Sequence, residues 1–149
     1  MTNVSATTTS RTGTIIIEDR GCVVKGVGGY EVKQGSHYAP GISAETVGAR
    51  ALWFGFVTLP PGKRTKAHVH AHHESAFYFI SGDEIELWTG ARLQYCEKAR
   101  PGDYLFIPAN VPHVAVNRGS QPAVFVGARN EATAQESVIM HPELDSVVP

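Results

Sequence analysis

Four histidines fall between His68 and His73, within the run Gly62-Lys63-Arg64-Thr65-Lys66-Ala67-His68-Val69-His70-Ala71-His72-His73-Glu74. Side chains alternate faces along a strand, so His68 and His70 point the same way, about 7 Å apart along the chain. Two imidazoles so placed can grip one metal ion, and further ligands must then come from a turn or another strand. Glu74 stands four residues beyond His70, across an expected bend, where its carboxylate can reach the same point. His113 opens a second stretch, about forty residues downstream, after the turn Pro108-Ala109-Asn110-Val111-Pro112. In a barrel of antiparallel strands that separation can vanish in space. Asn110 sits where such a turn calls for a left-handed backbone, which Asn tolerates better than most residues.

The elements that must position these residues read as short strands. Thr14–Glu18, Cys22–Val24, Leu52–Leu59, Ser75–Ile80, Glu84–Trp88, Leu93–Cys96, Tyr104–Ile107, Pro112–Asn117 and Ala123–Val126 are β-branched or aromatic runs. Turn signals separate them: Pro40-Gly41, Pro60-Pro61-Gly62, Ser81-Gly82-Asp83, Pro101-Gly102-Asp103 and Arg118–Pro122. Turns at such regular intervals predict an all-β sandwich or barrel. The one helical candidate is Asn130–Met140, which lacks strong turn residues and reads as a short helix or a strand end. The first dozen residues are Thr/Ser-rich and nearly uncharged, which predicts a frayed tail.

The two stretches together resemble the cupin superfamily. The first is similar to its motif G-x5-H-x-H-x3-E with a following hydrophobic strand and Gly, here Gly62, His68, His70, Glu74, Tyr78, Ile80 and Gly82. The second is similar to G-x5-P-x-G-x2-H-x3-N, here Gly102, Pro108, Asn110, His113 and Asn117. There are two departures. Seven residues rather than six separate Glu74 from Gly82, and Asn110 stands in place of the second motif's inner Gly. HHESAFYFISG and GDYLFIPANVPH look like small single-domain bacterial cupins. The resemblance implies one all-β, cupin-type β-barrel (a double-stranded β-helix or jelly roll) over residues 14–149, with a flexible tail over residues 1–13 and motifs at 62–82 and 102–117.

By the same resemblance His68, His70, Glu74 and His113 are metal ligands inside the barrel. Three imidazoles and one carboxylate suit divalent Fe, Mn, Ni, Co or Zn, and no thiolate is present to favour a soft ion. Four protein ligands leave two positions of a six-coordinate ion open to water, substrate or dioxygen. A closed four-coordinate zinc site would leave none. His72 and His73 are expected at the rim, with the alternative that one of them replaces Glu74 or moves a proton. Tyr78 shares strand parity with Glu74, and with His72 it is the candidate acid/base. Lys63, Arg64 and Lys66 could draw an anion to the mouth, although a solvated loop explains such a run as well. Cys96 reads as a small buried hydrophobe.

Composition narrows the function. The 149-residue chain carries 13 Lys and Arg against 14 Asp and Glu, a net charge of −1, so the basic excess of a nucleic-acid binder is missing. The longest uncharged apolar stretch, residues 51–61, is too short for a membrane span. Two cysteines, Cys22 and Cys96, support neither a disulfide framework nor a cysteine zinc site. The opening lacks the basic start and long apolar stretch of a secretory signal, which points to the cytoplasm. The reading is a metal-dependent enzyme on a small organic molecule. An oxygenase (dioxygenase, with Fe(II) favoured) leads. An isomerase or epimerase of a sugar or sugar phosphate, or a decarboxylase, would use the same ion as Lewis acid, and a non-catalytic ligand-binding module is the remaining alternative. A homodimer is expected from the resemblance, with the Thr14–Val24 strands as pairing edges.

Overall fold

The computed structural model of the protein describes residues 20–26 and 28–149. Two antiparallel sheets pack face to face. The larger orders its strands β1-β2-β3-β10-β5-β8. These are Tyr30–Glu31 (β1), His37–Ile42 (β2), Trp53–Leu59 (β3), Ala123–Arg129 (β10), Ser75–Ser81 (β5) and Tyr104–Ile107 (β8). The smaller runs β11-β4-β9-β6-β7, formed by Val138–Met140 (β11), His68–His70 (β4), His113–Val116 (β9), Ile85–Thr89 (β6) and Tyr95–Ala99 (β7). The architecture is all-β, as the spacing of strands and turns predicts, and it is the jelly roll that the resemblance implies.

Alternation builds the interior. On β3, Trp53, Val57 and Leu59 face inward, and on β10 Ala123 and Phe125 do the same. With Phe79 of β5 and Ile85 of β6 they form the core between the sheets. Gly127 of β10 keeps the same parity but has no side chain, because the Phe77 ring occupies the place its Cβ would take, at 2.7 Å. A second cluster lies on the other side of the smaller sheet, where Val114 and Val116 of β9 are covered by Leu144 and Val148 of the C-terminal segment.

Turn chemistry closes the strands. Gly82, between β5 and β6, has φ +134°, and a Cβ there would meet the Pro122 carbonyl at 2.8 Å. Asn110 has φ +61°, the left-handed conformation expected of it. Asn117 is fully buried where β9 ends. Its Nδ2 donates to the carbonyls of Leu59, Pro60 and Gln121 at 3.1, 3.3 and 2.8 Å, and its Oδ1 accepts from Gly119 N at 3.0 Å.

Several local expectations differ from the structure. Of the two readings of residues 130–140, no helix forms, whereas the strand end does: the stretch is a series of bends ending in β11, which pairs with β4. The α-helix of the described residues is instead the single turn Ala44–Val47 (α1), closed by a Ser43–Thr46 capping box, and Pro142–Leu144 forms a 3₁₀ turn. His37–Ile42 is a strand despite Pro40-Gly41, and its register with β3 shifts there, which accommodates the proline. Leu93 sits at φ +51° in a turn, so β7 begins two residues later than the sequence pattern suggests. Cys96 is exposed rather than buried, because β7 is the edge strand of its sheet and points it outward. Cys22–Val24 is not a strand, and Thr14–Glu18 and the expected tail lie outside the described residues. Among the described residues no helix is long and apolar enough to cross a membrane.

Asn117→Ala would leave several buried backbone groups without partners. The expected loss is about 2–4 kcal/mol of unfolding free energy, measured by urea denaturation, with the slope against urea unchanged.

Candidate metal centre

β4 and β9 are neighbours, and their register sets His68 directly opposite His113. His70 follows two residues on, on the same inward face. The three rings converge, with centroids 4.2 Å apart for His68–His113, 5.2 Å for His68–His70 and 5.6 Å for His70–His113. One ring nitrogen from each lies within 4.8 Å of the other two. All three side chains are buried.

Hydrogen bonding decides which nitrogen is free. His68 Nδ1 lies 2.7 Å from the Lys66 carbonyl and His113 Nδ1 lies 2.9 Å from the Val111 carbonyl. A carbonyl can only accept, so each Nδ1 carries the proton and each Nε2 keeps a lone pair, the arrangement that second-shell carbonyls impose on metal-binding imidazoles. His70 has neither nitrogen hydrogen-bonded, although both are buried. Such orphaned atoms are costly in an apolar interior unless something else binds them. Burial holds all three rings neutral, the form that ligates. It lowers His70 below the ordinary histidine range, helped by Arg129 and the other two rings, and it lowers His68 well below that range, helped by His113. It brings His113 down to about 4. The residues fit a divalent transition ion held by three imidazoles.

A cavity of about 60 Å³, partly open to solvent, adjoins His68 and His113. Its walls are mostly apolar, with Val57, Leu59, Phe77, Leu105 and Phe125 among them, and His68, His113, Tyr38, Arg129, Ser36 and Thr65 supply the polar groups. The Arg129 side chain is 1% exposed. Nε donates to Ser75 Oγ at 2.7 Å, Nη1 to Glu131 Oε1 at 3.0 Å and to the Ala134 carbonyl at 3.3 Å, and Nη2 to the Tyr38 hydroxyl at 3.4 Å. A guanidinium has five N–H donors, so one on Nη2 has no partner in this set. Burial works against the Arg129 charge, but Tyr38 and Glu131 outweigh it and the group stays a cation. Burial also pushes the Glu131 carboxyl up, against the pull of Arg129. Glu131 Oε1 stands 3.7 Å from His70 Nδ1.

Residues 55–128 match the family model of the cupin domain. The chain belongs to the cupin superfamily. A quercetin 2,3-dioxygenase of Bacillus subtilis is 38% identical to this cupin over 55 residues, which are 36% of this chain and 15% of that enzyme's length. Among solved structures, a predicted oxalate decarboxylase from Thermotoga maritima superposes with a TM-score of 0.61 at 19% identity, over 74% of this chain and 99% of that one. The Lactobacillus farciminis oxalate decarboxylase formate complex superposes with a TM-score of 0.63 at 18% identity, over 85% of this chain and 36% of that one. These structural likenesses show the shared barrel.

This cupin does not bring together all the residues its sequence nominates. Glu74 is exposed and apart from the three rings. The chain bends after His70, and Glu74 lands on the outer side, its backbone N donating to Asn130 Oδ1 at 2.9 Å. Ser75, the residue spaced six from Gly82, is the one that turns inward, where it accepts from Arg129. Ser75 thus holds the spacing from Gly82 that the motif gives its carboxylate, and it pairs with a guanidinium. Tyr78 points outward, 37% exposed, because Phe77 and Phe79 take the inward parity of β5. His72 is exposed at the bend, as the rim reading has it, and it does not reach the cavity as an acid/base. His73 turns back inside, with Nδ1 2.7 Å from Ser137 Oγ and 3.3 Å from Glu131 Oε2. Sequence reasoning missed Tyr38, Arg129 and Glu131. The signal for Arg129 was the alternation Ala123-Phe125-Gly127-Arg129, which carries the inward face of β10 three residues past Val126.

Two outcomes follow for the metal and the protons. Glu74→Ala is expected to leave metal affinity within about twofold, whereas His70→Ala lowers it by about a hundredfold or more, read by competition with a chromophoric chelator. In chelator-treated protein, the unfolded chain protonates its histidines near pH 6.5 while His113 in the fold waits until about 4. Below 6.5 the unfolded state therefore binds more protons, and stability falls as pH drops, by about 1.4 kcal/mol per pH unit for each such histidine. Above 6.5 these groups add no pH dependence. Urea midpoints at pH 7.5, 6 and 5 test this, and a flat series would mean the rings are not held neutral.

Proposed function

We propose that this cupin is a metal-dependent enzyme acting on a small organic acid, with oxygenase chemistry as the leading reaction class. The observation that carries the reading is a small cavity lined by two of three converging neutral imidazoles, His68 and His113, and by the buried guanidinium of Arg129. A bound divalent ion would supply Lewis acidity and, if it is iron, a place for dioxygen. His68, His70 and His113 would hold it. The spare Nη2 donor of Arg129 would hold a carboxylate by a charge-assisted bond and so fix which end of the substrate faces the imidazoles. Tyr38, in contact with Arg129, is the hydroxyl available to hold a proton there. The apolar walls exclude water.

Size limits the substrate. At about 60 Å³ the cavity is small, which favours a compact substrate. The same size, together with the decarboxylases among the structural neighbours, supports decarboxylation as the second reading. Isomerisation, and ligand binding without turnover, share the site but have no observation of their own.

The test is metal analysis of protein purified without chelators or affinity-tag metals, followed by oxygen uptake and carbon dioxide release with two- to four-carbon acids and their amides. The expected result is close to one transition ion per chain and turnover of an acid but not its amide. An Arg129→Met/Glu131→Gln double variant, which removes both buried charges together, is expected to raise KM about tenfold or more with metal content unchanged. Protein that holds no metal, or that treats acid and amide alike, would overturn the proposal.

A further inference from the structure

Two of the three imidazoles are oriented from behind. His68 and His113 each turn Nδ1 to a backbone carbonyl, which leaves Nε2 for an ion. His70 is the exception. It is 2% exposed, and neither of its ring nitrogens has a hydrogen-bond partner. Its Nδ1 faces the Glu131 carboxylate, whose Oε1 lies 3.7 Å away. That gap is about 0.5–1 Å longer than a hydrogen bond. Glu131 itself is held on both oxygens. Oε1 accepts from Arg129 Nη1 at 3.0 Å, and Oε2 accepts from Ser137 Oγ at 3.2 Å and lies 3.3 Å from His73 Nδ1. Its side chain is fully out of water. It does not join the converging donor atoms of His68, His70 and His113, so it is not placed as a ligand of the same ion.

We propose that Glu131 is the positioning residue of His70: it accepts a hydrogen bond from His70 Nδ1 and so turns Nε2 toward the ion that His68 and His113 also face. The inference rests on the metal-centre part of the proposed function and not on its reaction class. A carboxylate paired with a guanidinium can only accept, so the ring nitrogen that faces it must be the one that carries the proton. The tautomer that carbonyls impose on His68 and His113 is thereby repeated at His70. The backbone of His70 is fixed, since it pairs with Val138 of β11 and its carbonyl accepts from Asn110 N at 2.8 Å. Closing the gap therefore takes only a small swing of the ring. The bond also resolves the cost of two orphaned nitrogens in a dry interior. Glu131 satisfies one and the ion the other. An anionic acceptor behind an imidazole raises its basicity, which makes His70 the strongest donor of the three. Because Arg129 binds the same Oε1, the group proposed to hold the substrate's carboxylate and the group that aims a ligand share one atom.

The test compares two charge-matched variants, because removing Glu131 alone would strand the buried Arg129 charge. Arg129→Met/Glu131→Gln keeps an acceptor behind His70, and Arg129→Met/Glu131→Met removes it. Zn(II) affinity is read by competition with a chromophoric chelator, once circular dichroism shows the wild-type fold. The Gln variant is expected within about threefold of wild type, and the Met variant about ten- to a hundredfold weaker. Equal affinities in the two variants would overturn the proposal. The tautomer of His70 needs neither a variant nor a metal and is read by long-range nitrogen–proton correlation NMR of chelator-treated wild type. The Nδ1–H form is expected, and the Nε2–H form would overturn the proposal. A wild-type chain in the Nδ1–H form that takes up no Zn(II) would support the Glu131–His70 bond and overturn the proposed function instead.

Discussion

His68 faces His113 because β4 and β9 pair in one register and no other. A slip of one residue would turn every side chain of β9 to the opposite face. Val114 and Val116 would then enter the cavity, and His113 would point at the C-terminal segment. The chain holds the register from several sides. Ala115 N donates to Thr65 Oγ1 at 2.9 Å, Arg64 bridges Val116, and four residue pairs tie β9 to β6 on its other edge. Asn117 then pins the end of β9 to the end of β3 and to the loop before β10. Without the cation the three rings are polar groups in an apolar interior, so the convergence costs stability, and these contacts offset it.

A second polar cluster lies beside the first and is bound differently. Arg129 and Glu131 form an ion pair with both side chains essentially out of water. Desolvating such a pair is expensive, and removing one partner alone strands the other charge, at about 3–5 kcal/mol. Here Ser75, Ser137, Tyr38 and the Ala134 carbonyl take up the neighbouring donors and acceptors, one Nη2 N–H of Arg129 excepted. The network joins β2, β5, β10 and the bends before β11, so it ties the segment over residues 130–140 into the barrel. That accounts for the lack of a helix there. The backbone is directed by where Glu131 and Ser137 must reach.

Most of the barrel was legible because its strands obey alternation and its turns contain Gly, Pro and Asn in the places where the backbone needs them. His68, His70 and His113 were legible for the same reason: each lies on a strand whose inward parity can be counted. Glu74 was not, because it follows a bend, and parity does not survive a bend. The seven-residue gap to Gly82 was the visible sign, since it gives Ser75 the spacing that the motif reserves for its acid. Tyr78 failed because parity was counted from Glu74, itself on the outer side, so both residues point away from the cavity. Arg129 went unseen because the strand was read as ending at Val126, short of its last inward position, and Glu131 because it lies past the end of β10, where a buried ion pair leaves no periodic trace. It is a property of two side chains and the volume between them.

The exchange of a carboxylate for Ser75 and Arg129 changes what the centre needs. Three neutral imidazoles contribute no charge, and the Arg129 and Glu131 charges cancel. An acidic ligand would have offset half of a divalent ion's charge; this arrangement offsets none of it. In a cavity with apolar walls the effective dielectric is low, and an uncompensated double charge is far less tolerable there than at a surface. Under the proposed function the balance would come from an anion that enters beside the ion. Placed between that ion and the spare Arg129 donor, it would meet a positive group on both sides, which supports a compact organic acid as the proposed ligand.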